Sequence, residues 1–115
     1  MDVELLNEFE TNIRRGFSEL MILRLLKDRD MTSYELPTEL AKRTNTVFKI
    51  QYATIYMSLR RLEKKNMITV VHKKKAQDSR LLNYYHIEDL GREYLTYGTM
   101  KSRIVLSEFL KLIES

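Results

Sequence analysis

The densest chemistry in this chain is basic. Between positions 60 and 80 stand Arg60, Arg61, Lys64, Lys65, Lys73, Lys74, Lys75 and Arg80, opposed only by Glu63 and Asp78. Guanidinium and ammonium groups at that density suit a polyanion, because each one placed at a phosphate releases counterions held around a nucleic acid. The formal net charge is only +4, and the first ten residues carry four acids and no base. The basic character is therefore local, and since a charge cluster can equally be a solvated face, its placement on the fold must decide its role.

Other chemistries are poorly supplied. The chain has no Cys, which removes disulfides, thiolate zinc sites and cysteine nucleophiles and suits a reducing cytosol. His72 and His86 fall on adjacent strands without a third ligand, so no metal site is expected. Three Gly residues in all make no phosphate-cradling loop, and the dispersed Ser, His and Asp residues form no nucleophile elbow. Neither catalysis nor a cofactor is expected. No apolar signal run opens the sequence and no stretch approaches a membrane span, so the expectation is a soluble cytoplasmic protein without membrane contact.

Periodicity names the elements that must position the basic residues. At 115 residues, 43% of them hydrophobic, the chain has the length of one globular unit. From about Val3 to Arg29, Leu6, Phe9, Ile13, Phe17 and Leu20 recur at helical spacing, and the half from Phe17 to Leu26 is apolar on nearly every side, so it should be the most buried. Thr32-Ser33-Tyr34-Glu35 matches a capping box, starting a second helix that runs to about Asn45 and buries Tyr34, Leu36, Leu40 and Ala41. Pro37 fits if that helix begins near Leu36, and otherwise kinks it. A third helix, from about Tyr52 to Lys65, carries Ile55, Leu59 and Leu62 on one stripe and ends at Asn66, a suitable left-handed stop. Opposite the stripe lie Ala53, Met57, Arg60 and Lys64, flanked by Thr54 and Arg61.

The strands Met67–His72 and Leu82–Ile87 are expected to pair as a hairpin with the polar run Lys73–Arg80 at its tip, one of Tyr84 and Tyr85 facing the core. Glu88–Ser115 reads as a last helix with Leu95, Val105, Phe109 and Leu112 on one stripe, where Gly98 and Ser102 would let another helix approach closely.

Long helix, short helix, helix with a basic outer face, basic-tipped hairpin: this is the order of a winged helix-turn-helix. The expected fold is mainly α (α+β), with residues 1–88 as the winged unit and 89–115 as a dimerisation helix. The third helix would read base edges of double-stranded DNA while the hairpin neutralises phosphates. The candidate DNA contacts are Gln51, Thr54, Tyr56, Met57, Arg60, Arg61 and Lys64 on the helix, and Lys73, Lys74, Lys75 and Arg80 on the hairpin. Tyr56 can reach a phosphate or pack beside the core stripe. The apolar ends, with Leu6, Phe9 and Ile13 at one and Val105, Phe109 and Leu112 at the other, exceed what one small winged unit covers. Either they pack on each other or they bury against a second copy. The second arrangement, a homodimer, would set two reading helices about 34 Å apart on a palindromic site.

A set of segments in order carries a family resemblance: Arg15-Gly16, Tyr34-Glu35-Leu36, Thr54-Ile55-Tyr56, Leu59-Arg60-Arg61-Leu62-Glu63, Ile68, Tyr84-Tyr85-His86-Ile87 and Leu90-Gly91-Arg92-Glu93-Tyr94-Leu95. Over roughly residues 14–95 the chain resembles the PadR family, in its compact form with one C-terminal helix. The resemblance implies a homodimeric transcriptional regulator, usually a repressor, dimerised through its first and last helices. The chain departs from the family at Ser33 and Ala53, where Gly is usual, and at Met57, where Pro is usual. Some members bind aromatic effectors beside a Trp of the terminal helix; this chain has no Trp, and Tyr94 and Tyr97 are the candidate lining for a small aromatic effector. Against the DNA reading stands an adaptor that keeps the winged shape without base readout, suggested by Ala53 and Met57.

Overall fold

The structure, a computed structural model, describes residues 1–74 and 81–115, Lys74 by its backbone alone; the expected hairpin-tip contacts Lys75 and Arg80 lie outside them. Helix α1 spans Val3–Asp28 and starts at Asp2, whose carboxylate accepts the Glu4 N–H at 2.9 Å. Its second half buries Ile22, Leu23, Leu25 and Leu26 and forms the centre of the core, as the dense apolar run implied. Its first half is exposed.

A two-residue strand, β1 (Met31–Thr32), precedes α2 (Glu35–Arg43). The capping box forms as expected. The Glu35 N–H donates to Thr32 Oγ1 at 3.2 Å, and the Thr32 N–H and hydroxyl donate to Glu35 Oε1 at 3.5 and 3.3 Å. Because α2 begins at Glu35, Pro37 sits in the first turn, where its missing N–H costs no helical bond. The same start corrects the expectation for Tyr34. It precedes the helix instead of lying on its inner face, and its side chain is 72% exposed. Leu36 and Leu40 are buried and Ala41 is half-buried. The helix stops at Arg43 because Asn45 and Thr46 turn to φ 49 and 62.

Helix α3 (Tyr52–Lys64) buries Ile55, Ser58, Leu59 and Leu62 against this core, and Asn66 follows at φ 62, the left-handed stop its identity suggested. Strands β2 (Ile68–Lys74) and β3 (Leu81–Ile87) pair antiparallel from Ile68↔Ile87 to Lys74↔Leu81. The ladder therefore reaches further than the apolar pattern, and Lys73 and Lys74 belong to β2, not to the tip. β1 adds to the free edge of β3, giving the sheet order β1-β3-β2, a third strand too short for periodicity to reveal. Tyr85 is the buried member of its pair and Tyr84 is half-buried.

Helix α4 (Asp89–Glu114) packs its first half on α1. Gly98 lies close to α1, where a Cβ would stand 2.6 Å from Leu20 Cδ2, the movable end of a side chain, and a Cβ on Gly91 would meet the fixed Met67 carbonyl. The anticipated close contact thus forms within the chain. The architecture is a mainly helical winged helix-turn-helix. Among the described residues, no helix is long and apolar enough to cross a membrane.

Candidate nucleic-acid interface

The buried residues of α3 fix which of its side chains face outward. Ala53, Met57, Arg60 and Lys64 are exposed on the side opposite Ile55, Leu59 and Leu62. Neither Arg60 nor Lys64 takes part in an ion pair among the described residues. Gln51 is the N-cap of α3, makes no side-chain capping bond and stands at the exposed start of the helix.

Two flanks border that face. Toward α1, Arg61 donates from Nε to Glu19 Oε1 at 2.9 Å and from Nη2 to Ser58 Oγ at 3.0 Å. Ser58 Oγ in turn lies 3.0 Å from Ser18 Oγ, a buried hydroxyl pair joining α1 to α3, and Lys65 reaches Glu19 at 3.7 Å. Arg61 is thus turned to the protein while its neighbour Arg60 is turned to solvent. Beside it an open groove of about 750 Å³ runs between α1, α3 and α4, lined by Arg15, Glu19, Thr54, Met57, Arg61 and Tyr94 among others. Tyr94 therefore meets Thr54, Met57 and Arg61 at one groove, whereas Tyr97, exposed on α4, does not line it.

The other flank is aromatic. Tyr52 stacks on Tyr34 with ring centroids 5.0 Å apart and planes at 14°, and on Tyr56 at 6.1 Å and 20°. Together with Leu81, Leu82 and Asn83 of β3 these rings line a cleft of about 270 Å³ between α3 and the hairpin. Tyr56 is exposed and stacks on Tyr52 instead of joining the core stripe. Sequence reasoning missed Tyr34 and Tyr52. The i, i+4 spacing of Tyr52 and Tyr56 was a signal for their mutual stack, but nothing local pointed to Tyr34.

On the hairpin, Lys73 Nζ donates to Asp30 Oδ2 at 2.7 Å and lies 5.5 Å from the centroid of the Tyr84 ring. His86 Nδ1 is 2.7 Å from Asp30 Oδ1. Partial burial pushes the Asp30 carboxyl up, but hydrogen bonds and charge from Lys73 and His86 outweigh it and leave the group below its ordinary range. His72 is exposed and faces Asn83 across the ladder, one arm away from His86. No metal-binding group occurs among the described residues.

The apolar ends remain uncovered. Phe9 is 62% and Phe109 52% exposed, and Leu6, Ile13, Val105 and Leu112 are exposed with them. Within the chain the two ends do not bury each other.

The profile of the transcriptional regulator PadR-like family matches residues 22–97. An uncharacterised protein of Lysinibacillus sphaericus is 38% identical over 86 residues, 75% of this chain and 78% of that protein. Among solved structures, a PadR family transcriptional regulator from Eggerthella lenta superposes with a TM-score of 0.84 at 22% identity, covering 97% of this chain and 95% of that one. A PadR-like transcriptional regulator from Bacillus cereus superposes at 0.76 with 27% identity, covering 90% and 98%.

Proposed function

This chain belongs to the PadR-like family of transcriptional regulators, and on that footing we propose that it is a repressor that occupies a palindromic operator as a homodimer. The observation that carries the reading is the outer face of α3, a helix whose opposite side is wholly committed to the core while Arg60 and Lys64 stand exposed and make no ion pair among the described residues. That face enters the major groove, with Gln51, Thr54, Met57, Arg60 and Lys64 at base edges and flanking phosphates. Tyr56, Lys74, Lys75 and Arg80 contact the backbone, and Lys73, held at Asp30, adds positive potential beside them. Arg61 contributes positive potential from its place on Glu19.

The homodimer rests on the apolar ends. A second copy laid on Leu6, Phe9 and Ile13 of α1 and on Val105, Phe109 and Leu112 of α4 removes from water the stripes that the single chain leaves exposed. An effector reading is favoured by one contact set: Tyr94 shares a groove with Thr54 and Met57 of the reading helix, so a small aromatic effector seated there would touch both functional helices.

Sedimentation and footprinting on the DNA upstream of the protein's own gene test the proposal together. It predicts the mass of two chains and a two-fold symmetric footprint whose half-sites are centred about one helical turn, roughly 34 Å, apart. A one-chain mass at micromolar concentration, or a single asymmetric footprint, contradicts it.

A further inference from the structure

Three side chains, two of them one helical turn apart and the third from another element, form one surface. Tyr34 precedes α2, Tyr52 and Tyr56 stand one turn apart on α3, and their near-parallel rings make a ladder open to solvent. The ladder is not core: Tyr34 is 72% exposed and the other two are also exposed. It borders the cleft between α3 and β3, whose lining among the described residues is neutral, formed by the tyrosines, Thr32, Ser33, Asn83 and apolar groups. Stacking holds each ring from the side, which fixes where its hydroxyl points without a long mobile side chain. Ser33 Oγ, 3.5 Å from the Tyr52 hydroxyl, adds a further polar anchor.

Position identifies the occupant. Where α3 lies in one groove of a duplex and the hairpin beside the next, the sugar-phosphate strand separating the grooves must pass over the surface between them, which is this cleft. We infer that Tyr34 and Tyr52, with Tyr56, form an uncharged seat for that strand, donating hydroxyl hydrogen bonds to its phosphate oxygens. The inference rests on the DNA-binding reading above and adds two residues and a mode of contact to it. Phenol hydroxyls are donors at phosphates but carry no charge. The neighbouring Tyr52 hydroxyl pushes Tyr34 ionisation up, so Tyr34 keeps its proton well beyond neutral pH. The seat accordingly contributes affinity and registers the helix on the strand without counterion release, in contrast to Arg60 and Lys64.

That difference makes the inference testable in the full-length chain. Tyr34→Phe and Tyr52→Phe keep the rings and remove the hydroxyls. Each is expected to weaken binding to the upstream duplex by about five-fold, the scale of one hydrogen bond, with unchanged melting temperature and an unchanged slope of log affinity against log salt. Lys64→Gln, measured alongside, is expected to flatten that slope. As a second measurement, single phosphates flanking the reading helix are replaced by methylphosphonates. The replacement at the seat should weaken wild type and leave the double Phe variant nearly unaffected. Phe variants that bind as tightly as wild type, or that lose affinity through a flatter slope, overturn the seat. A wild-type chain that binds no duplex overturns the DNA-binding reading instead.

Discussion

Arg60 and Arg61 are neighbours in the chain and opposites in the structure. Arg61 is held by Glu19 and Ser58, on a path that continues through the buried Ser58–Ser18 pair into the α1/α3 interface, whereas Arg60 projects into solvent without an ion pair among the described residues. The hairpin repeats the first situation, with Lys73 held by Asp30. A run of like charge is therefore not one functional patch. It divides into cations whose counter-charge is built into the fold and cations whose counter-charge must come from outside, and among the described residues of the run the second kind is Arg60 and Lys64, both on the outer face of α3.

The sharpest way to break this contrast is to remove the unpaired set. Arg60→Ala with Lys64→Ala should lower affinity for the upstream duplex by on the order of thirty-fold and flatten its salt dependence, with the melting temperature unchanged because neither side chain packs. Arg61→Ala should show the converse balance. It costs about 1 kcal/mol of stability by removing donors from Glu19 and Ser58, visible by thermal melting, while affinity falls less than for Arg60→Ala alone. An equal or greater loss of affinity would erase the distinction between the two arginines.

Removing the built-in counter-charge sharpens the same contrast with a smaller effect. Glu19→Gln releases Arg61 and Lys65, and Asp30→Asn releases Lys73. Each should raise non-specific duplex affinity by about three-fold at low salt, and less as salt screens the gain. The smallest expected effect is acid lability at the hairpin. The Asp30 carboxyl is depressed in the folded chain, so its contribution to stability is present above its ordinary value of 3.8 and is lost as pH falls through the lower folded value. An acid melt followed at Tyr84 should therefore show a transition below about pH 4 that is absent in Asp30→Asn.

The parts of this molecule that were legible in its sequence are those fixed by local spacing. The Thr32–Glu35 box, the Asn66 stop, the buried half of α1 and the Ile55–Leu62 stripe involve residues within a turn or two of one another. What escaped depends on distant partners. Helical periodicity placed Arg60 and Arg61 together on or beside the outer face, and only Glu19, 42 positions away, separates them. Local pattern alone puts Lys73 at a charged tip; its place in β2 depends on Asp30, 43 positions away, and on a strand ladder that outruns its apolar pattern. An aromatic residue near a helix start reads as core, but the stacking partner of Tyr34 is on a different helix. β1 is two residues long and exists only through its pairing with Tyr84 and Tyr85.

The central claim, that the exposed basic outer face of α3 reads DNA, is tested most directly by titrating the native upstream duplex and a scrambled duplex across a salt series, with wild type and the Arg60→Ala, Lys64→Ala variant. The account predicts a clear preference of wild type for the native duplex with steep salt dependence, and in the variant a loss of that preference together with a shallower slope. Equal, weak binding of wild type to both duplexes, or a variant that still prefers the native duplex as strongly as wild type, would contradict it.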